Sequence, residues 1–210
     1  MILEACVENY TVVPAVIKRG AQRIELCDNL SVGGTTVSHG VAAYTIQYCK
    51  SKNVKVMAMI RPRGGNFIYS KEEIEMMQND IYHLKMLGAA GVVFGCLTDL
   101  HWIDEKAMSG LLECATGLEV CFHMAFDQID TNKQLNAIDW LANRGVNRIL
   151  THGGPSIAPI EAHFSRLREY IEYSSGRITI MPGGGITNKN LQHVKDNLHI
   201  DEAHGTKIVG

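Results

Sequence analysis

Short apolar runs alternate with amphipathic stretches along the whole chain. At three places a helical pattern ends at a glycine and an apolar run follows at once, after Gly20, Gly88 and Gly145. Glycine is the residue that most easily adopts the left-handed conformation just after a helix. The short runs that follow are typical of strands. This alternation predicts helix–strand units that build a parallel sheet.

Eight apolar runs are predicted to be strands, with helical patterns in the gaps between them. The predicted strands span residues 2–6, 22–27, 54–60, 91–95, 118–123, 147–151, 177–181 and 201–204. This count predicts an α/β fold of the (β/α)8 TIM-barrel type in a single domain, residues 1–210. The final helix should be short or absent, because few residues follow the last strand. An open doubly wound sheet is the alternative, but no Gly-x-Gly-x-x-Gly follows an early strand.

Two of the helical patterns carry start signals. Ser70 with Glu73, and Thr131 with Gln134, have the spacing of a capping box. In such a box each side chain bonds the other residue's backbone N–H at the first turn. We therefore expect helices to begin at both places.

The first two predicted strands each carry Glu-x-Cys on one face, as Glu4-x-Cys6 and Glu25-x-Cys27. Side chains alternate along a strand, and one strand face of a barrel points inward. The more apolar faces should meet the helices, which leaves the following residues inward: Glu4, Cys6, Glu25, Cys27, Met57, Met59, Arg61, Cys121, His123, Arg177, Thr179 and Met181. Buried glutamates need partners, and Arg61 and Arg177 are the expected ones.

Composition narrows the classes of function. The 210 residues carry a formal net charge of −2 and no basic run, so we expect no nucleic-acid partner. The N-terminus does not resemble a secretory signal, and no apolar run is long enough to span a bilayer. We therefore expect a cytoplasmic protein without a membrane partner. Its six cysteines should then be free thiols.

Cys6 and Cys27 end neighbouring predicted strands. Adjacent strands lie ~4.8 Å apart, so two inward thiols at these ends can meet. Soft thiolates, with Met59 or Met181 nearby, suit Cu(I) better than Mg²⁺ or Ca²⁺. The alternative is that both cysteines are small hydrophobic packing residues.

Other strand ends carry candidate anion ligands. Arg61 and Arg63 follow the third strand, and guanidinium groups there can bind carboxylate or phosphate. Gly183, Gly184 and Gly185 follow the seventh strand, where loops in this fold often hold phosphate through backbone N–H groups. The alternatives are that Arg61 pairs with a barrel glutamate and that the glycines only form a turn.

A candidate catalytic group lies after the fifth strand, in the stretch CFHMAFDQ. His123 and Asp127, with Glu25, could serve in acid/base chemistry or bind a hard metal ion. A structural histidine in the barrel mouth is the alternative for His123. His152, at another strand end, is weak support on its own.

Six stretches together resemble the copper homeostasis (CutC) family: IELCDNLSVGGTTVS, IRPRGGNFIYS, GVVFG, FHMAFD, LTHGG and MPGGGIT. The resemblance runs over residues 1 to about 206. It implies a (β/α)8 barrel, a cytoplasmic and often homo-oligomeric protein, and a role in copper handling. It also implies Cu(I) binding by Cys6 and Cys27. Met124 and His152 depart from the residues found in many members.

Three functional hypotheses follow. The first is a cytoplasmic copper homeostasis protein that binds Cu(I) as its cofactor through Cys6 and Cys27. The second is a TIM-barrel enzyme whose small anionic or phosphorylated substrate is held by Gly183 to Gly185 and Arg61 or Arg63. The third is an assembly scaffold, since this fold hosts many functions.

Overall fold

The computed structural model describes all residues, 1–210, as eight strands that alternate with seven α-helices. The strands are β1 Ile2–Glu8, β2 Arg23–Cys27, β3 Lys55–Met59, β4 Gly91–Phe94, β5 Glu119–Phe122, β6 Arg148–Thr151, β7 Thr179–Pro182 and β8 Glu202–Gly205. The helices are α1 Val13–Lys18, α2 His39–Ser51, α3 Lys71–Leu87, α4 Glu105–Cys114, α5 Gln134–Ala142, α6 Phe164–Ser174 and α7 Leu191–Leu198. No helix follows β8, as predicted. None of the seven combines the length and apolar character needed to cross a membrane.

The strands form one parallel sheet in the order β7-β6-β5-β4-β3-β2-β1-β8. This is the order of a TIM-type barrel, in which each strand neighbours the next along the chain. The seam between β7 and β8 is bridged just beyond the two strands, by parallel pairing of Thr187 with Lys207. The predicted (β/α)8 fold is confirmed.

Local signals explain most helix boundaries. Gly88 ends α3 with φ of 83°, in the left-handed region. Ser70 and Glu73 form the predicted capping box at the start of the same helix. The box predicted at Thr131 and Gln134 is wrong, because a 3-10 turn spans Thr131–Lys133 and α5 begins only at Gln134. The Gln134 side chain instead donates to the Phe126 carbonyl oxygen at 3.3 Å.

Two hydrophobic clusters lie on the two faces of the sheet. The outer cluster fills the space between strands and helices and includes Ala5, Ile24, Leu26 and Phe122. The inner cluster fills the barrel, and three of its members are cysteines and three are methionines. They are Cys6, Cys27, Met57, Met59, Val93, Cys121, Leu150 and Met181. The alternation of inward and outward residues is as predicted for all six sulfur-bearing residues.

Residue Arg177 departs from the prediction. Strand β7 begins at Thr179, two residues later than expected, so Arg177 lies outside the sheet. Its Nη1 pairs with Asp139 of α5 at 2.7 Å, and both side chains are more than one-third exposed. Arg177 therefore does not point into the barrel.

Candidate metal centre in the barrel mouth

Cys6 and Cys27 meet at the carboxyl end of the barrel. Along the ladder between β1 and β2, Cys6 lies opposite Glu25 and Cys27 lies opposite Glu8. This stagger of two residues still brings the side chains together. One ligand atom each of Cys6, Glu25 and Cys27 lies within 4.8 Å of the other two. Both cysteines are free thiols and are more than nine-tenths buried.

A network of charged side chains contacts the thiol pair. His204, on β8, places Nδ1 at 2.8 Å from Glu4 Oε1 and Nε2 at 3.5 Å from Glu25 Oε2. The same Glu25 oxygen accepts from Cys27 Sγ at 3.6 Å. Three buried side chains on three adjacent strands therefore form a continuous chain of contacts to the thiol pair.

The arginine partners of the barrel glutamates are Arg23 and Arg148. Arg23 pairs with Glu4, and also with Glu202 at 2.5 Å. Arg148 pairs with Glu202 at 3.0 Å and with Glu119 at 2.8 Å. These ion pairs meet the need of buried carboxylates for partners.

The prediction that Arg61 and Arg177 serve as these partners is therefore wrong. Arg177 lies outside the barrel, as described above. Arg61 follows β3, and its guanidinium donates to loop carbonyl oxygens, those of Val32, Gly34 and Gly65.

Burial and neighbouring charges set the protonation of the network. Burial raises the pKa of Glu4, but His204 and Arg23 outweigh it and lower that pKa to about 2. Burial lowers the pKa of His204, but Glu25, Cys6 and Glu4 raise it well above its ordinary value. At neutral pH, Glu4 is therefore a carboxylate and His204 an imidazolium.

The thiols are protonated at neutral pH. The neighbouring Cys27 sulfur, burial and the Glu25 charge together raise the pKa of Cys6 well above its ordinary value. Contact with Cys6 favours the Cys27 thiolate, but burial and Glu25 outweigh it and raise that pKa to about 11. Because the nucleophile of cysteine chemistry is the thiolate, the pair is poorly suited to covalent catalysis. A soft metal ion can still bind the pair, because a thiol loses its proton when its sulfur coordinates a metal.

The mouth above the thiols is a cavity of about 280 Å³. Arg61, His123, Gly184 and Gly185 line it, together with Cys6 and Glu25 of the network. His123 is buried, and burial together with the Arg61 charge lowers its pKa to about 3. The imidazole is therefore neutral. Its Nδ1 accepts from the Ala125 N–H at 3.2 Å, so Nε2 carries the proton.

Other predicted site residues do not join this cavity. Arg63 pairs with Glu73 at 2.5 Å, at the start of α3. Asp127 accepts from the Thr151 hydroxyl at 2.5 Å and from the His152 N–H at 2.9 Å, which gives it a structural role between loops. Gly183 packs behind the cavity, and its carbonyl oxygen contacts His152 Nδ1 at 3.0 Å.

Two residues of the network were missed as site residues. Arg23 shares the inward face of β2 with Glu25 and Cys27 by simple alternation, and His204 stands on β8 in the same way with Glu202. The alternation was thus a usable signal for both. What it lacks is the register between neighbouring strands, which places Arg23 and His204 level with Glu4.

Comparison with known proteins decides the family. The CutC family profile matches residues 1–209. The chain belongs to the CutC family. A CutC family protein of Enterococcus faecalis is 54% identical over 209 residues, covering 100% of both chains. A human relative named as a copper homeostasis protein cutC homolog is 41% identical, over 97% of this chain and 72% of its own length.

Solved structures agree with the family and extend the fold comparison. The Streptococcus agalactiae CutC, named as a copper homeostasis protein, superposes with a TM-score of 0.96 at 42% identity, covering 99% of each chain. A deoxyribose phosphate aldolase from Aeropyrum pernix superposes with a TM-score of 0.72 at 12% identity, over 99% of this chain and 86% of its own. At that identity the aldolase supports the barrel fold alone.

Proposed function

We propose that this CutC family chain acts in copper homeostasis as a cytoplasmic protein that binds Cu(I) through Cys6 and Cys27. The observation that carries the proposal is the meeting of two buried thiols at the barrel mouth. Thiolates are the ligands that select Cu(I). The relatives named as copper homeostasis proteins support the same role. Free thiols in this number are also typical of the reducing cytosol.

The surroundings of the thiols fit a soft monovalent cation. Met57, Met59 and Met181 share the inner cluster with the cysteines, so most residues of that cluster carry sulfur. Glu25 accepts from Cys27 Sγ, and such contacts to a ligand orient it for the metal.

A Cu(I) competition titration against a chromophoric chelator tests the proposal. Cys6→Ser and Cys27→Ser should each lose the tight site, while Cys49→Ser should keep it. Cys49 is a matched control because it is equally buried but lies on α2, facing the outer cluster. Equal binding by all four proteins would show that the two cysteines only pack.

The same titration at several pH values checks the protonation state. Both thiols have raised pKa values, that of Cys27 to about 11, so each thiolate bound to the metal releases a proton. The affinity for Cu(I) should therefore fall as pH falls, by about tenfold per pH unit for each thiol proton that the metal displaces. An affinity that stays constant between mildly acidic and mildly alkaline pH would contradict thiolate ligation.

Homo-oligomer formation is a further part of this proposal. It rests on the family resemblance, which implies a homo-oligomer. Sedimentation of the purified chain would test it. A chain that sediments as a monomer at micromolar concentration would remove this part and leave the metal site unaffected.

A further inference from the structure

The cavity in the barrel mouth has hydrogen-bond donors that the chain does not satisfy. His123 Nε2 and Arg61 Nε are both buried and have no partner. The backbone N–H groups of Gly184 and Gly185 also make no hydrogen bond within the chain. All four residues line the same cavity. A buried polar group without a partner is costly, so donors collected at one place indicate an acceptor-rich ligand.

The charges that face the cavity favour an anion. Arg61 donates to three backbone carbonyl oxygens, so its charge has no ionised partner. Glu25, the one carboxylate in the lining, already contacts His204 at 3.5 Å. The Arg61 guanidinium is therefore the charge in the lining that lacks a counter-ion.

The rest of the lining is apolar. The Phe67 ring packs against both residues that carry the buried donors, with its centre 4.9 Å from the Arg61 guanidinium carbon and 4.6 Å from the His123 ring centre. The other apolar contributors are Leu30, Met59, Met124 and Leu150. An inorganic ion would leave these side chains without a partner. A short organic group attached to the anionic head would cover them.

The backbone at the glycine loop is shaped for close approach. Gly184 and Gly185 have φ of 82° and 80°, in the left-handed region that glycine adopts most easily. A Cβ at Gly184 would lie 2.7 Å from His152 Nδ1, so no side chain can stand there. The loop therefore presents bare backbone to the cavity.

We propose that the barrel mouth binds a small organic anion, with its charged head on Arg61, His123 Nε2 and the N–H groups of Gly184 and Gly185. Its short apolar body packs on Phe67 and the neighbouring aliphatic and methionine side chains. The cavity of about 280 Å³ lies at the small end of ligand pockets, which run from roughly 300 Å³ upward. The head is a carboxylate or a phosphate monoester, which offer the same acceptor chemistry. This site does not depend on copper binding, although Cys6 lines the same cavity.

Titration of the reduced, copper-free full chain with butyrate, ethyl phosphate and butyramide tests the proposal. Butyramide is the neutral isostere of butyrate and separates charge from shape. The readout is the NMR signals of the Gly184 and Gly185 amides and of the His123 ring N–H in isotopically labelled protein. At least one anion should shift all three signals saturably. Butyramide should bind at least about tenfold more weakly than butyrate. The tighter of the two anions identifies the head group.

Two variants locate the binding. Arg61→Gln should weaken the anion about tenfold or more, from the loss of a charge-assisted donor. Arg168→Gln is the matched control, since Arg168 is exposed on α6 and bonds only Asn197, and it should bind as the wild type does. Arg61 also holds three loop carbonyls, so His123→Asn serves as a second variant with the same expected direction.

Titration of the wild-type protein with the three ligands tests the anion site even if a variant fails to fold. Absence of a shift at millimolar anion would overturn the proposal and would assign the four donors to ordered water. Equal shifts with butyrate and butyramide would also overturn it, because the charge would then play no part. Loss of Cu(I) binding in Cys6→Ser, by contrast, bears only on the metal site.

Discussion

At the scale of single residues, Glu25 is the centre of the candidate metal site. It contacts His204 Nε2 at 3.5 Å and Cys27 Sγ at 3.6 Å. Burial raises its pKa, and the neighbouring Glu4 charge adds to this against the opposing effect of His204. Its charge in turn raises the pKa of both thiols. This carboxylate therefore adds to burial in favouring the protonated thiols.

Glu25→Gln should lower the pKa of Cys27 from about 11. At the pH where the thiol titrates, Glu25 is ionised, and removing a like charge at this distance should lower the thiol pKa by about one unit or more. Thiolate ultraviolet absorbance followed against pH measures the change, with Cys27→Ser identifying the signal. Glu172→Gln, at an exposed position on α6, is the control. An unchanged Cys27 titration would show that Glu25 does not act on the thiol.

The sequence predicted the inward thiols because the strand period of two is independent of the rest of the fold. It did not predict the partners of the glutamates. Arg23 lies opposite Glu4 in the ladder, and His204 lies opposite Glu4 on the other side. Both relations depend on stagger between strands and on closure of the barrel. Neither is a property of a local pattern.

At the scale of elements, the strand starts decide which arginines are buried. Strand β2 begins at Arg23, which is 1% exposed, whereas β7 begins two residues after Arg177. The predicted start at residue 177 followed from the apolar run alone. The run cannot show that Arg177 already has a surface partner in Asp139. Helix boundaries show the same limit, since a 3-10 turn replaces the capping box at Thr131.

Arg23→Met should destabilise the fold strongly, whereas Arg177→Met should not. Arg23 pairs with the buried Glu4 and the partly buried Glu202, and removing one partner of a buried ion pair costs about 3–5 kcal/mol. An exposed pair such as Arg177–Asp139 is worth about 1 kcal/mol or less. Urea denaturation of the three proteins gives both differences in the free energy of unfolding. Similar losses in the two variants would contradict a buried role for Arg23.

At the scale of the whole molecule, the barrel brings every chemical group to one end. The mouth is lined by groups from five different strands or the loops after them: β1, β2, β3, β5 and β7 supply Cys6, Glu25, Arg61, His123 and the glycine loop. The count of eight strands was enough to predict this fold. It could not predict the function, because aldolases with 12% identity share the barrel. The soft thiol pair and the unsatisfied donors distinguish this member of the fold.

The two buried histidines of the mouth shape the pH dependence of folding in opposite directions. The pKa of His123 is lowered to about 3 in the folded protein. Below pH 6.5 the His123 imidazole therefore binds a proton in the unfolded chain but not in the folded one. Stability should therefore fall as pH falls through this window. The pKa of His204 is raised well above 6.5, so its contribution is complete below pH 6.5 and is lost as pH rises through the folded value.

Comparison of wild type with His123→Asn isolates the acid side of this dependence. Asparagine keeps an acceptor for the Ala125 N–H but cannot titrate. Between pH 6.5 and the region near pH 3 set by the His123 pKa, wild type should lose about 1.4 kcal/mol per pH unit relative to the variant. Groups that both proteins share, such as Glu25 and Asp127, cancel in the difference. Urea unfolding at a series of pH values gives the curves, and His39→Asn, at an exposed position, should run parallel to wild type. Parallel curves for His123→Asn as well would mean that the imidazole is not held neutral in the folded protein, in conflict with its burial and its acceptance from the Ala125 N–H.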